Sequence, residues 1–138
     1  TPEQVKSVFK DYDIYDTGLK HGTITLAGED DLYEITTYRT DGVYLDGRHP
    51  ESVNFVKDVK QDLARRDFTI NAMAYNEVEG LVDPFNGRFD LKKKLIKAVG
   101  DPNQRFQEDA PRILTAVRFA AKYGFDIENE TDKAIFRK

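Results

Sequence analysis

An α+β fold is predicted for this chain, with a small mixed or antiparallel sheet followed by helices, and three observations predict it. Residues 23–26 and 32–38 are two runs rich in β-branched and aromatic residues, joined by Gly28-Glu29-Asp30-Asp31, the pattern of a β-hairpin. Residues 89–99 set Leu91, Leu95, Ile96 and Val99 at helical spacing, which gives a helix one apolar stripe. Residues 105–123 carry the longest helical pattern, and Gly124 follows as its stop.

The remaining elements fall around these. Residues 2–9 read as a short helix, with Pro2 in the first turn and Val5, Val8 and Phe9 as its apolar side. Residues 11–20 are polar and turn-rich. After the hairpin, residues 40–50 hold acidic and glycine turns without periodicity, which predicts a long mobile loop. Residues 52–64 are helical or mixed, and residues 67–75 form a compact helix candidate. Leu81-Val82 is a short strand before the turn Asp83-Pro84-Phe85-Asn86-Gly87. A boundary near 81–87 would separate a strand-containing part, 1–82, from an all-helical part, 83–138. No internal repeat or low-complexity tract is present.

A chain of 138 residues fits one domain, or one domain and the beginning of another. Its composition removes several classes of chemistry. Cys is absent, so disulfides, thiol catalysis and Cys-held metals are excluded, and a reducing cytosol is the preferred compartment. No apolar run approaches the ~20 residues of a membrane span, and no signal-peptide pattern opens the chain. The net charge is −4, unevenly spread: 7 basic and 12 acidic residues in 1–60, against 14 basic and 13 acidic in 61–138. Arg88, Lys92, Lys93, Lys94 and Lys97 form a basic ridge opposed only by Asp90. Such a ridge is either a solvated helix face or a surface that follows a phosphate backbone.

His21 and His49 are the only histidines and lie in loop-like surroundings, without a zinc-binding spacing. Serine occurs only at Ser7 and Ser52, neither in a nucleophile context. Carboxylates, arginines and small polar turns remain, the materials for handling phosphate and a hard metal ion. Glu34 stands in the second strand, on the face opposite Tyr33 and Ile35. Asp11-Tyr12-Asp13 has the form of a carboxylate pair but reads as solvated turn residues. Arg65, Arg66, Asp67, Thr69 and Asn71 fall at the mouth of the 67–75 helix, where Arg forks and helix amides favour an anion. Glu108-Asp109-Ala110-Pro111-Arg112 leads into Arg118-Phe119. In a helix Asp109 and Arg112 share a face. They form an ordinary ion pair, or an acceptor and a donor that read the edge of a base.

Five segments in order carry a resemblance: Gly18-Leu19-Lys20-His21-Gly22-Thr23, Glu34-Ile35-Thr36-Thr37-Tyr38-Arg39, Arg65-Arg66-Asp67-Phe68-Thr69-Ile70-Asn71-Ala72-Met73-Ala74, Asp83-Pro84-Phe85-Asn86-Gly87, and Glu108-Asp109 through Arg118-Phe119. Together they resemble the bacterial-type (class II) tRNA nucleotidyltransferases: CCA-adding enzymes, A-adding enzymes and bacterial poly(A) polymerases. The resemblance implies a polymerase β-like nucleotidyltransferase head over 1–82 and the start of a helical neck over 83–138. It implies attack of a tRNA 3′-hydroxyl on the α-phosphate of CTP or ATP, with pyrophosphate leaving and two Mg²⁺ assisting. By the same resemblance, Arg66, Asp67 and Asn71 belong to the segment that binds the nucleotide. Asp109 and Arg112 would pair with its base as a protein template, and Arg118 would face the phosphates. Glu34 corresponds to a strand carboxylate near the catalytic centre, and residues 40–50 to the loop used in switching from CTP to ATP. The partners implied are tRNA and nucleoside triphosphates in the cytoplasm.

Two departures qualify what the resemblance implies. The family's Gly-rich loop and Asp-x-Asp strand would precede Thr1, so the metal ligands are expected upstream and this chain alone is expected to be inactive. The template helix usually reads Glu-Asp-x-Leu-Arg-x-Leu-Arg-Ala, and here Pro111 and Thr115 replace a Leu and an Arg. Pro111 requires the helix to start within a residue or two of it. A non-catalytic nucleotide- or RNA-binding module on the same fold is the alternative. The residues do not separate the CCA-adding branch from the A-adding or poly(A) branch.

Overall fold

The computed structural model describes residues 1–16, 18–47 and 52–136. Helix α1 (Pro2–Val8) begins with a capping box, the Thr1 hydroxyl accepting from Gln4 N while the Gln4 side chain accepts from the Thr1 amine. Strands β1 (Asp13–Tyr15), β2 (Thr23–Ala27) and β3 (Leu32–Thr36) form an antiparallel sheet in that order, with Ile24 opposite Ile35 and Thr25 opposite Glu34. Strand β2 buries Ile24 and Leu26 and leaves the alternate residues half-exposed, as its pattern requires. Strand β1 departs from the turn-rich expectation for 11–20. Its three residues are too few to show a period, and they are held by pairing with β2.

Strands β4 (Arg39–Asp41) and β5 (Val53–Phe55) pair antiparallel, so the expected loop 40–50 begins inside a strand. Gly42 N donates to Ser52 O at 2.7 Å, closing the two ends on each other. Part of that loop, including His49, lies outside the described residues. Helix α2 (Val59–Ala64) is capped by the Asp58 side chain, which accepts from Lys60 N at 3.0 Å.

The helix expected over 67–75 does not form. A single 3-10 turn, Thr69–Asn71, stands there, followed by strand β6 (Ala74–Asn76), which pairs with β7 (Gly80–Val82). Phe68 bridges Ala98, Thr69 N donates to Lys97 O at 2.9 Å, and Val99 N donates to Asp67 O at 3.0 Å. These bonds to residues 97–99 use the backbone groups that a helix would pair internally.

The expected helix 89–99 is likewise shortened. Helix α3 (Gly87–Lys93) ends at Lys94, whose φ of 58° is left-handed, and the chain continues as strand β8 (Leu95–Ile96). Residues 105–123 divide into α4 (Pro102–Glu108) and α5 (Pro111–Tyr123), broken where Asp109 adopts φ −142° and ψ 89°. Pro111 occupies the first turn of α5, the place where its missing N–H costs nothing. Gly124 ends α5 at φ 66°, and strand β9 (Asp126–Ile127) returns parallel to β8 before α6 (Asn129–Phe136). The second part is therefore not all-helical: the β8–β9 pair lies among the helices.

One core cluster joins Phe68, Ile96, Phe106, Ala116 and Ala134, and a second joins Leu63, Ala72 and Val99. Phe68 is fully buried, so the ring beside Asp67 anchors its segment against α4, α5 and α6. Gly87 sets α3 on the 3-10 turn, since a Cβ there would lie 2.0 Å from Thr69 O. Below it, Asp90 is buried and accepts from the Thr69 hydroxyl at 2.6 Å.

Phe68→Ala is expected to lower the unfolding free energy by about 3 to 5 kcal/mol, measured by denaturant titration. Gly87→Ala is expected to cost about 1 to 3 kcal/mol by the same measurement, because the obstructing atom is backbone.

Candidate functional site

Two segments distant in sequence line a single open pocket of about 410 Å³: Arg65, Arg66, Asp67 and Asn71 from one side, Asp109, Pro111, Arg112 and Thr115 from the other. Three guanidinium groups and two carboxylates thus line one polar opening, a balance that suits a polyanionic ligand with polar edges.

The Arg65–Asn71 wall is built by the tethering of residues 67–69 to 97–99. Asp67 Oδ1 accepts from Phe68 N at 2.6 Å and from Asn71 Nδ2 at 3.4 Å. Its second oxygen is left available to a ligand hydroxyl. Arg66 reaches Asp62 at only 3.7 Å, and its side chain is 47% exposed, so it is free to swing into the pocket. Arg65 is oriented differently, its Nε donating to Asp41 Oδ1 at 2.8 Å.

The opposite wall is built by the break between α4 and α5. Arg112 is buried, with Nη1 donating to Arg105 O at 3.2 Å and Nη2 to Arg65 O at 3.1 Å. Asp109 lies 3.7 Å from Arg112 Nε, and Glu108 lies 3.5 Å from Nη1. Asp109 is the C-cap of α4 rather than a residue of α5, so the two do not share one helix face. The broken backbone brings them together. Of five guanidinium N–H groups, the two carbonyls engage two, and the others are left to Asp109, Glu108 and the pocket. Thr115 donates to Pro111 O at 3.3 Å and brings a short neutral side chain to the rim.

Behind this wall lies a smaller cavity of about 200 Å³ bounded by Asp41, Tyr44, Arg65, Arg105 and Glu108 among others. Tyr44 donates to Asp41, the carboxylate that holds Arg65. Burial pushes the Tyr44 phenol up to about 12, and the hydrogen bond to Asp41 adds to the rise. Burial and the neighbouring Arg65 push Arg39 down from its ordinary value, against the pull of Asp41 and Asp62. Gly47 O accepts from Ala110 N at 2.9 Å, a second tie between residues 41–47 and the α4–α5 break.

Of the site residues read from the sequence, Arg66, Asp67, Asn71, Asp109 and Arg112 meet at this pocket, and Glu34 and Arg118 do not line it. Glu34 is exposed on β3, and Arg118 is exposed on α5 with its guanidinium 5.3 Å from the Phe119 ring centre. Arg65, adjacent to Arg66, adds its backbone carbonyl as well as its charge, which the doubled arginine did not distinguish. Asp41 and Tyr44 had no legible signal, because their role depends on β4 packing beside α2. Among the described residues, no group of three or more His, Asp or Glu side chains is arranged to hold a metal ion. These residues do not fit a two-magnesium centre.

Comparison with known proteins places the chain. A family model described as Poly A polymerase head domain matches residues 1–97. A CCA-adding enzyme of Listeria monocytogenes is 47% identical over 134 residues, which are 97% of this chain and 34% of that protein. The crystal structure of the Bacillus stearothermophilus CCA-adding enzyme in complex with CTP superimposes with a TM-score of 0.87 at 39% identity, over 99% of this chain and 32% of that one. A tRNA nucleotidyltransferase complexed with a primer tRNA and an incoming ATP analog gives a TM-score of 0.71 at 30% identity, over 98% of this chain and 36% of that one. The α+β architecture and the likeness agree, and the chain belongs to the Poly A polymerase head domain family. It spans about a third of the length of the relatives it matches.

Tyr44→Phe removes the hydroxyl that Asp41 accepts. The stability difference between parent and variant is expected to be constant below pH 10, the ordinary tyrosine value, and to shrink as pH rises through about 12, where the folded phenol ionises. Thermal melts of both proteins across that range test it.

Proposed function

We propose that this chain forms part of a nucleotidyltransferase that adds C, A or both to the 3′ end of tRNA from CTP and ATP, without a nucleic-acid template. The observation that carries the reading is the meeting of Arg66, Asp67 and Asn71 with Asp109 and Arg112 around one pocket. The CTP complex of the Bacillus stearothermophilus enzyme and the primer-tRNA complex of the related nucleotidyltransferase support it.

In this reading Arg66 takes a phosphate of the nucleotide, since its guanidinium is half-exposed at the pocket and lies 3.7 Å from its carboxylate partner Asp62. The open oxygen of Asp67 accepts from a ribose hydroxyl, and Asn71 holds the other oxygen in place. Asp109 accepts from the base and Arg112 donates to it, so both edges of the selection are protein groups. Arg112 is suited to this because two backbone carbonyls fix its plane before any ligand arrives. Arg118 serves the phosphates only by reaching in from outside the pocket. Glu34, exposed on β3, is carried by the resemblance alone as a carboxylate near the catalytic centre. Among the described residues none is arranged to hold a metal ion, so the chain by itself is expected to be inactive, and the full-length protein is expected to work in the cytoplasm.

The test is incorporation by the full-length protein, using tRNA lacking its 3′ end with labelled CTP and ATP. Addition of both nucleotides is expected. Addition of ATP alone would assign the A-adding or poly(A) branch. Incorporation of neither, with nucleotide still bound, would favour a non-catalytic binding module. Arg112→Lys in the same protein is expected to lower discrimination against UTP and GTP by about tenfold or more while leaving the tRNA KM within about twofold. An equal loss of both would make Arg112 a structural residue.

A further inference from the structure

The basic ridge of residues 88–97 is split by the fold into two unlike parts. Lys97 lies near Glu128, whose carboxyl burial would push up. Hydrogen bonds from the Thr131 and Glu130 N–H groups and the Thr131 hydroxyl, with the charge of Lys97, hold it below its ordinary value instead. That end of the ridge is compensated. Helix α3 is not. Arg88, Lys92 and Lys93 are exposed on it and Lys94 is exposed at its C-cap, and among the described residues none forms an ion pair with them.

The acid that opposes this ridge in the sequence is removed from the surface. Asp90 is 5% exposed and points inward to the Thr69 hydroxyl. Asp83, at the start of α3, spends both oxygens on the backbone N–H groups of Gly87 and Arg88. Three cations on one short helix and a fourth at its C-cap therefore remain in a chain whose net charge is −4. Between them Phe89 is 56% exposed, with Lys93 Nζ 4.5 Å from its ring centre. Cations interleaved with an exposed aromatic ring suit a phosphate backbone, whereas a lipid surface would require a broader apolar face. Seven residues of helix measure about 10 Å, which is about three base-pair rises along a duplex. The helix also packs through Gly87 directly on the Thr69–Asn71 turn, whose Asn71 lines the nucleotide pocket.

We infer that the outer face of α3 is a docking surface for the phosphate backbone of RNA, contacted by Arg88, Lys92, Lys93 and Lys94. The inference extends the nucleotidyltransferase reading, because an RNA whose 3′ end enters the pocket would cross the element that supports the pocket wall. The contact is electrostatic and independent of sequence.

The experiment uses the full-length protein and the triple variant Arg88→Gln, Lys92→Gln, Lys93→Gln. Binding of fluorescently labelled tRNA lacking its 3′ end is followed by anisotropy from low to moderate salt. The variant is expected to bind about tenfold or more weakly, with the slope of log affinity against log salt reduced by about two to three, roughly one per lost phosphate contact. Its CTP affinity is expected to stay within about twofold of the parent's. Unchanged tRNA affinity and slope would overturn the inference, and so would an equal loss of CTP affinity. The variant Lys92→Arg, Lys93→Arg keeps the charge and is expected to bind as the parent does; a loss there would also overturn it. If the parent incorporates no nucleotide, the functional reading fails while the binding measurement still decides the surface.

Discussion

Arg112 carries its charge into the interior of the chain, where an uncompensated guanidinium is costly to bury. Its compensation comes from groups that no single element supplies. The carbonyl of Arg65 closes α2, the carbonyl of Arg105 lies in α4, and Glu108 and Asp109 stand at the α4–α5 break. Satisfying one buried cation thus joins three pieces of chain. The pocket between Arg66 and Asp109 is the space left beside that junction.

The other wall depends on a backbone rather than a charge. Residues 67–69 run as an extended segment against 97–99, with Phe68 driven into the core among Phe106, Ala116 and Ala134. That arrangement turns Asp67 and Asn71 outward while their neighbour is anchored. Gly87 and Asp90 then lock α3 beneath the Thr69 turn. Burial of Asp90 also leaves the exposed charges of α3 all cationic, so packing and surface charge are two results of one contact.

Elements with a clear period were legible in sequence. The β2–β3 hairpin, the capped α1 and the stop at Gly124 all appear near their expected positions. The errors share a cause. Residues 67–75 and 95–99 have apolar patterns compatible with a helix, but residues 67–69 pair with 97–99 and residues 95–96 with 126–127, far along the chain, and local spacing carries no record of such pairing. The helix expected over 105–123 failed for a local reason that was present: Pro111 favours a new start, which the continuous apolar stripe obscured. In the site, Arg66, Asp67, Asn71, Asp109 and Arg112 were named from short motifs. The supporting Asp41, Tyr44 and Arg65 carbonyl were not, because their roles exist only once β4, α2 and α5 are packed together.

The sequence by itself determined the inventory: no thiols, few histidines, an acidic first half, and arginines and carboxylates grouped in motifs of a nucleotidyltransferase kind. Residue type and order along the chain are enough for that. The tertiary structure alone decided which of those charges line the pocket. Arg112 is fixed inward by carbonyls, Arg66 stays half-exposed beside Asp62, Asp90 is hidden, and among the described residues the cations of α3 have no ion-pair partner. Exposure and compensation depend on what packs against a side chain, and that is a property of elements meeting across the fold rather than of spacing along the sequence.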